Sequence, residues 1–64
     1  MAQLLTQSDL RSVVIFPGAE MPIKYRGKVR QCRIEDIQAG KGYIRVFDID
    51  SNGYRTFTMK EIGK

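Results

Sequence analysis

Histidine and tryptophan are absent, cysteine occurs once and proline twice. Without histidine and with a single thiol, Cys32, the chain has no ligand set for a structural zinc ion. Neither a Cys–His nor a Ser–His nucleophile pair can be assembled. A lone cysteine also excludes an intramolecular disulfide. Small secreted domains usually carry several, so this composition fits a reducing cytoplasm. Long apolar runs are missing as well. Residues 13–16 form the longest and are far too few to cross a membrane. The opening Met1-Ala2-Gln3-Leu4-Leu5 has neither the basic start nor the apolar stretch of a signal peptide. There is no Walker A sequence, and Gly40, Gly42 and Gly53 do not make a dinucleotide-binding motif. Glu35-Asp36 reads as a solvated strand end rather than an acid/base pair. A chain this small has little room for an enclosed pocket. The expectation is a protein that is not an enzyme and carries no cofactor or metal.

What is present is an ordinary globular balance in 64 residues: 42% hydrophobic and 28% charged. That is one domain, spanning residues 1–64. A domain of this size buries only about 60% of the surface its unfolded chain exposes, so its core is thin. Eleven Lys and Arg against seven Asp and Glu give +4, a balance that favours anionic partners.

No repeat, low-complexity tract or long 3.6-residue apolar period occurs, so no long helix is expected. Residues 1–11 read either as a short helical turn, built on Leu4, Leu5 and Ser8-Asp9-Leu10-Arg11, or as a loose N-terminal arm. Residues 12–62 read as short strands. "SVVIF" (12–16) is a β-branched run stopped by Pro17-Gly18. "MPIKYRGKVRQCRIEDI" (21–37) reads as two strands around Gly27. A Gly27-Lys28 loop of type II′ sets Tyr25 across from Arg30, Ile23 from Cys32 and Met21 from Ile34. These share one mostly apolar face; Lys24, Arg26, Gln31 and Arg33 share the other. A slip of one residue would mix the two sets. "QAGKG" (38–42) reads as a loop, and "YIRVFDI" (43–49) and "YRTFTM" (54–59) as the last strands.

"DIDSNG" (48–53) resembles the front of a calcium loop, with Asp48, Asp50 and Asn52 at alternate positions. An EF-hand loop needs a bidentate Glu at its twelfth position. Counted from Asp48, that position is Met59. The flanks are strand-like where helices belong. Read instead as a hairpin loop of Asp50-Ser51-Asn52-Gly53, the segment sets Val46 across from Phe57, Ile44 from Met59 and Asp48 from Arg55. The apolar face then ends in an opposite-charge pair.

Lys24, Arg26, Lys28, Arg30 and Arg33 fall within ten residues with no acid among them, and Tyr25 sits inside the run. On the second hairpin Tyr43, Arg45, Phe47 and Tyr54 occupy the face away from Ile44 and Val46. Cations beside rings on a small sheet suit a single-stranded nucleic acid: phosphates meet the charges and bases stack on the rings. The plainer alternative is that Leu4, Leu5 and Leu10 cover Phe47 and Ile49. The basic run is then a solvated strand edge that discourages aggregation.

"GYIRVFDIDSNGYRTFTMKEI" (42–62) resembles the end of a WYL domain. That family closes with Trp-Tyr-Leu, a turn, and Arg-Thr-Phe running to Asp-Arg-Ile. Tyr43-Ile44 match Tyr-Leu, Arg55-Thr56-Phe57 match Arg-Thr-Phe, and Ile62 matches the closing Ile. "IKYRGKVRQCRIEDI" (23–37) is similar to the family's opening strands. Gly42 stands at the family's Trp, Lys60-Glu61 at its Asp-Arg, and Asp36 at a usual proline. The resemblance covers residues 23–62. It implies an all-β, five-stranded SH3-like or Sm-like barrel serving as a regulatory module for nucleic acid or a nucleotide-like anion. A free-standing copy suits a small regulator or accessory protein, such as a phage encodes.

Two classes of function follow. In the first, Arg55 is the central cation of a binding module, with Tyr43, Arg45, Arg30, Arg33, Lys24, Arg26, Lys28 and Tyr25 around it. In the second, a protein-interaction surface centres on Phe47, Tyr54 and Ile49. Neither involves a membrane.

Overall fold

A computed structural model describes residues 4–10 and 15–64. Four strands form one antiparallel sheet in the order β1-β2-β3-β4. They are β1 (Glu20–Tyr25), β2 (Lys28–Gln38), β3 (Tyr43–Asp48) and β4 (Gly53–Thr58). A single-turn helix, α1 (Gln7–Leu10), precedes them. Short 3-10 turns follow β2 at Ala39–Lys41 and β4 at Met59–Glu61. No helix among the described residues is long and apolar enough to cross a membrane.

The faces follow the alternation of side chains along each strand. Ile23, Cys32, Ile34, Ile44, Val46 and Phe57 are buried on the concave face, with Met21 and Met59 packed against them. Leu5, Ile15 and Ile62 fill the remainder of the concavity. Lys24, Arg33, Arg45, Phe47 and Tyr54 fall on the convex face by the same alternation.

Both hairpins differ from the sequence expectation by two residues. Tyr25 pairs with Lys28, Ile23 with Arg30 and Met21 with Cys32. The loop is therefore Arg26-Gly27. Both residues have positive φ, 51° and 83°, the signature of a type I′ turn rather than type II′. In the second hairpin Asp48 pairs with Gly53, Val46 with Arg55 and Ile44 with Phe57. The loop is residues 49–52, with Asn52 in the left-handed region at φ 56°. A shift of two preserves which residues share a face, so the core survives the change. Gln38, expected in a loop, ends β2, which bulges between Ile34 and Asp36.

Among the described residues the five-stranded barrel is not formed. Of the expected strand at 12–16, residues 12–14 lie outside the described residues, and Ile15 and Phe16 belong to no strand. After β4 the chain turns through 3-10 geometry and makes a single bridge, Ile62 to Tyr25. The sheet nevertheless curls far enough for its first and last strands to touch. Tyr25 on β1 stacks on Phe57 of β4, ring centres 4.2 Å apart, and its hydroxyl accepts from the Thr58 N–H at 3.0 Å.

The arm closes the concave face instead of covering Phe47 and Ile49. Leu5 is buried in the core and its N–H donates to the Pro22 carbonyl, whereas Leu4 is exposed. Thr6 and Asp9 bond reciprocally to each other's main-chain N–H, a capping box that starts α1. The Gln7 amide then donates to the carbonyls of Met59 and Ile62, tying the arm to the chain's end.

Candidate functional site

The concave face is apolar at one end and charged at the other. Alternation carries Arg30 past Cys32 on β2, Asp48 past Val46 on β3, and Arg55 before Phe57 on β4. The three lie side by side across three strands. Asp48 is fully buried. Its Oδ2 accepts from Arg30 Nη1 and from Arg55 Nε, both at 2.8 Å. Its Oδ1 accepts from the Ser51 N–H at 3.2 Å, and Arg55 Nη2 reaches the Ser51 hydroxyl at 3.3 Å. Burial by itself pushes the Asp48 pKa up. Donation from Ser51, Arg55 and Arg30 outweighs it and holds the group down at about 2.

Above this cluster the curled sheet leaves a seam. Below the Tyr25–Thr58 contact, the β1–β2 hairpin and β4 separate into an open groove of about 540 Å³. Tyr25, Arg26, Lys28 and Arg30 line one side; Tyr54, Arg55, Thr56 and Phe57 line the other. Four of these eight residues are cations and none is an acid, because Asp48 lies beneath the wall. The Arg26 guanidinium sits over the Tyr25 ring, 5.5 Å from its centre.

The groove thus collects Arg55, Arg30, Arg26, Lys28 and Tyr25 from the sequence-derived binding set. It also takes Tyr54 from the protein-interaction set. Lys24, Arg33, Tyr43 and Arg45 are elsewhere, on the convex face. Arg33 donates from Nε to Glu35 at 2.7 Å and lies 5.1 Å from the centre of the Phe47 ring. Phe47 and Tyr54 meet edge to face at 5.1 Å. Arg45 pairs across the ladders with Asp36 and Thr56. Ile49 lies in the hairpin loop, where its N–H donates to the Gln31 carbonyl.

Sequence reasoning placed Asp48 beside Arg55 but missed Arg30 as its second partner, and missed Thr56 and Phe57 as groove walls. The signal for Arg30 was available. Arg30, Asp48 and Arg55 all fall in phase with the apolar residues of their strands, which is unusual for charged groups. The "DIDSNG" carboxylates are both held by the protein: Asp50 Oδ2 accepts from the Gln31 N–H at 2.9 Å, and Asp48 is bonded as above. Cys32 is buried beside this cluster. Burial, and next the Asp48 charge, push its thiol pKa up to about 11.

The sheet and its basic seam define the chain by geometry alone, for no protein-family model, curated protein or solved structure matches it.

Proposed function

We propose that this protein is a non-enzymatic binding module that takes a single-stranded nucleic acid, or a nucleotide-like anion, in the basic seam between β1–β2 and β4. One observation carries the reading: four cations and two tyrosines line a single open groove from which every carboxylate is excluded. Phosphates find Arg26, Lys28, Arg30 and Arg55, while an exposed base finds the ring of Tyr54. Duplex DNA is disfavoured, since the described sheet offers no helix for a major groove. The short motifs within residues 23–62 that resemble a WYL domain, though not its five-stranded barrel, point to the same regulatory role.

Fluorescence anisotropy with labelled oligonucleotides, at low and physiological salt, tests it. Single strands should bind more tightly than duplex of the same sequence. Lys28→Ala removes an exposed cation outside the Asp48 cluster. It should weaken binding and lower the salt slope by about 0.7, the value of one single-strand phosphate contact. If no single strand binds below about 100 μM, where non-specific contacts register, the reading fails.

A second reading has its own observation. Tyr54 is 63% exposed against Phe47, with Arg33 stacked behind, and a ring pair of this kind on an exposed face suits protein docking. Binding centred there would be nearly insensitive to salt.

A further inference from the structure

The two edges of the sheet are treated differently. On β1, the outward carbonyl of Pro22 accepts from the Leu5 N–H and that of Lys24 from the Gly63 N–H. Pro22 has no N–H to offer. The chain's arm and its last residues therefore close that edge. On β4, the Thr58 N–H points away from β3, since it donates to the Tyr25 hydroxyl. The β3–β4 ladder runs without a bulge from Tyr43–Thr58 to Asp48–Gly53. By the alternation of an antiparallel ladder, Thr56 and Tyr54 also turn their N–H and C=O groups outward, about 7 Å apart. No described residue bonds to either N–H. Both residues line the groove, which lies on the side of β4 toward which these groups turn.

A nucleic-acid strand could accept from the two N–H groups but has no donors at strand spacing for the two C=O groups, whereas a peptide strand matches both. We infer that the β4 edge at Tyr54 and Thr56 accepts an extended, acidic segment of a partner protein as an added strand. The acidity follows from the walls. A strand added beside β4 turns alternate side chains to the concave side, where Arg55, Arg30 and Lys28 stand, and the others toward Tyr54 on the convex side. The matching segment carries Asp or Glu at every second position, with apolar or aromatic residues between. The same cations disfavour a second copy of this chain, whose β4 would bring another Arg55 into the groove. The inference does not rest on the nucleic-acid reading, because its central groups are neutral main-chain atoms.

The probe is an end-capped hexapeptide of alternating glutamate and valine, added to the full chain. Expected are saturable binding, slowed amide exchange confined to Tyr54 and Thr56 within β4, and cross-strand contacts to the peptide by NMR. N-methylation of the peptide's alternate amides leaves its charge intact and should weaken binding roughly tenfold, as expected for two lost neutral hydrogen bonds. Thr56→Pro removes a donor that β3 does not use and should abolish peptide binding. Thr56→Val keeps the donor and should retain it. Exchange on the unaltered protein decides the matter if Thr56→Pro fails to fold. The inference is overturned by peptide binding that leaves the Tyr54 and Thr56 amides unprotected, by indifference to N-methylation, or by no binding at millimolar peptide. It is likewise overturned if these amides become protected only as protein concentration rises, for the occupant is then a second copy. Oligonucleotide binding is read separately, so either reading can fail alone.

Discussion

Arg55 reaches the buried carboxylate of Asp48 diagonally across the β3–β4 ladder, Nε to Oδ2 at 2.8 Å, although the residue opposite Asp48 is Gly53. Glycine leaves that position open, and the arginine two residues on leans into it. Arg30 comes to the same oxygen from β2. One carboxylate thus holds two guanidinium groups of the groove wall in fixed positions.

Asp48→Ala should destabilise the fold by about 2–4 kcal/mol, since it strips both arginines and the Ser51 N–H of their shared acceptor. Chemical denaturation measures it. A loss within experimental error of zero would mean that the arginines reach solvent freely and the cluster adds nothing to stability.

Acid should unfold the protein through the same group. The Asp48 pKa is near 2 in the fold against an ordinary value of 3.8. Its contribution is complete above the unfolded value and is lost as pH falls through the folded one. Linkage puts that contribution on the order of 2 kcal/mol. Thermal melts should show a drop between about pH 5 and pH 2 that Asp48→Asn largely lacks.

Phe57→Ala should cost about 3–5 kcal/mol, the usual range for emptying a buried ring site. Phe57 is 2% exposed and carries the Tyr25 stack that joins the two ends of the sheet. A loss of that size is a large part of a small domain's stability. A denaturation midpoint close to that of the parent protein would show that the seam closes without this stack.

Cys32 should resist thiol reagents at pH 8 in the native state and react at once in denaturant. It is fully buried, and its thiol pKa is raised from 9.0 to about 11. By linkage its contribution to stability is complete below pH 9 and is lost as pH rises toward 11. Fast native-state labelling would place the thiol at the surface.

Arg26→Asn should raise stability while lowering affinity for anions. Arg26 occupies a left-handed position, φ 51°, that costs a non-glycine residue about 1 kcal/mol and that Asn tolerates better. A melting temperature that rises while anisotropy binding weakens would place a binding role on this strained cation. A rise with unchanged binding would leave it as a turn residue only.

Alternation of side chains was legible in the sequence by itself. It put Ile23, Cys32, Ile34, Ile44, Val46 and Phe57 on one face and Phe47 and Tyr54 on the other. It also put Arg30, Asp48 and Arg55 in phase with the apolar set. These assignments depend only on parity, which a shift of two residues leaves unchanged. Loop length does not have that protection. Arg26-Gly27 and Gly27-Lys28 both fit a two-residue turn, type I′ and type II′ respectively, and parity does not choose between them. The sheet's curl, and not the sequence pattern, decided which cations share a wall. Arg26, Lys28 and Arg30 meet Arg55 because Tyr25 stacks on Phe57, 32 positions along the chain. Lys24 and Arg33, from the same basic run, face outward. Among the described residues the number of strands was decided the same way: Leu5, Ile15 and Ile62 fill the concavity of the four-stranded sheet. Local periodicity constrains neighbours within a strand, whereas closure, seam and edge depend on contacts between residues far apart in the chain, and those are set only when the whole core packs.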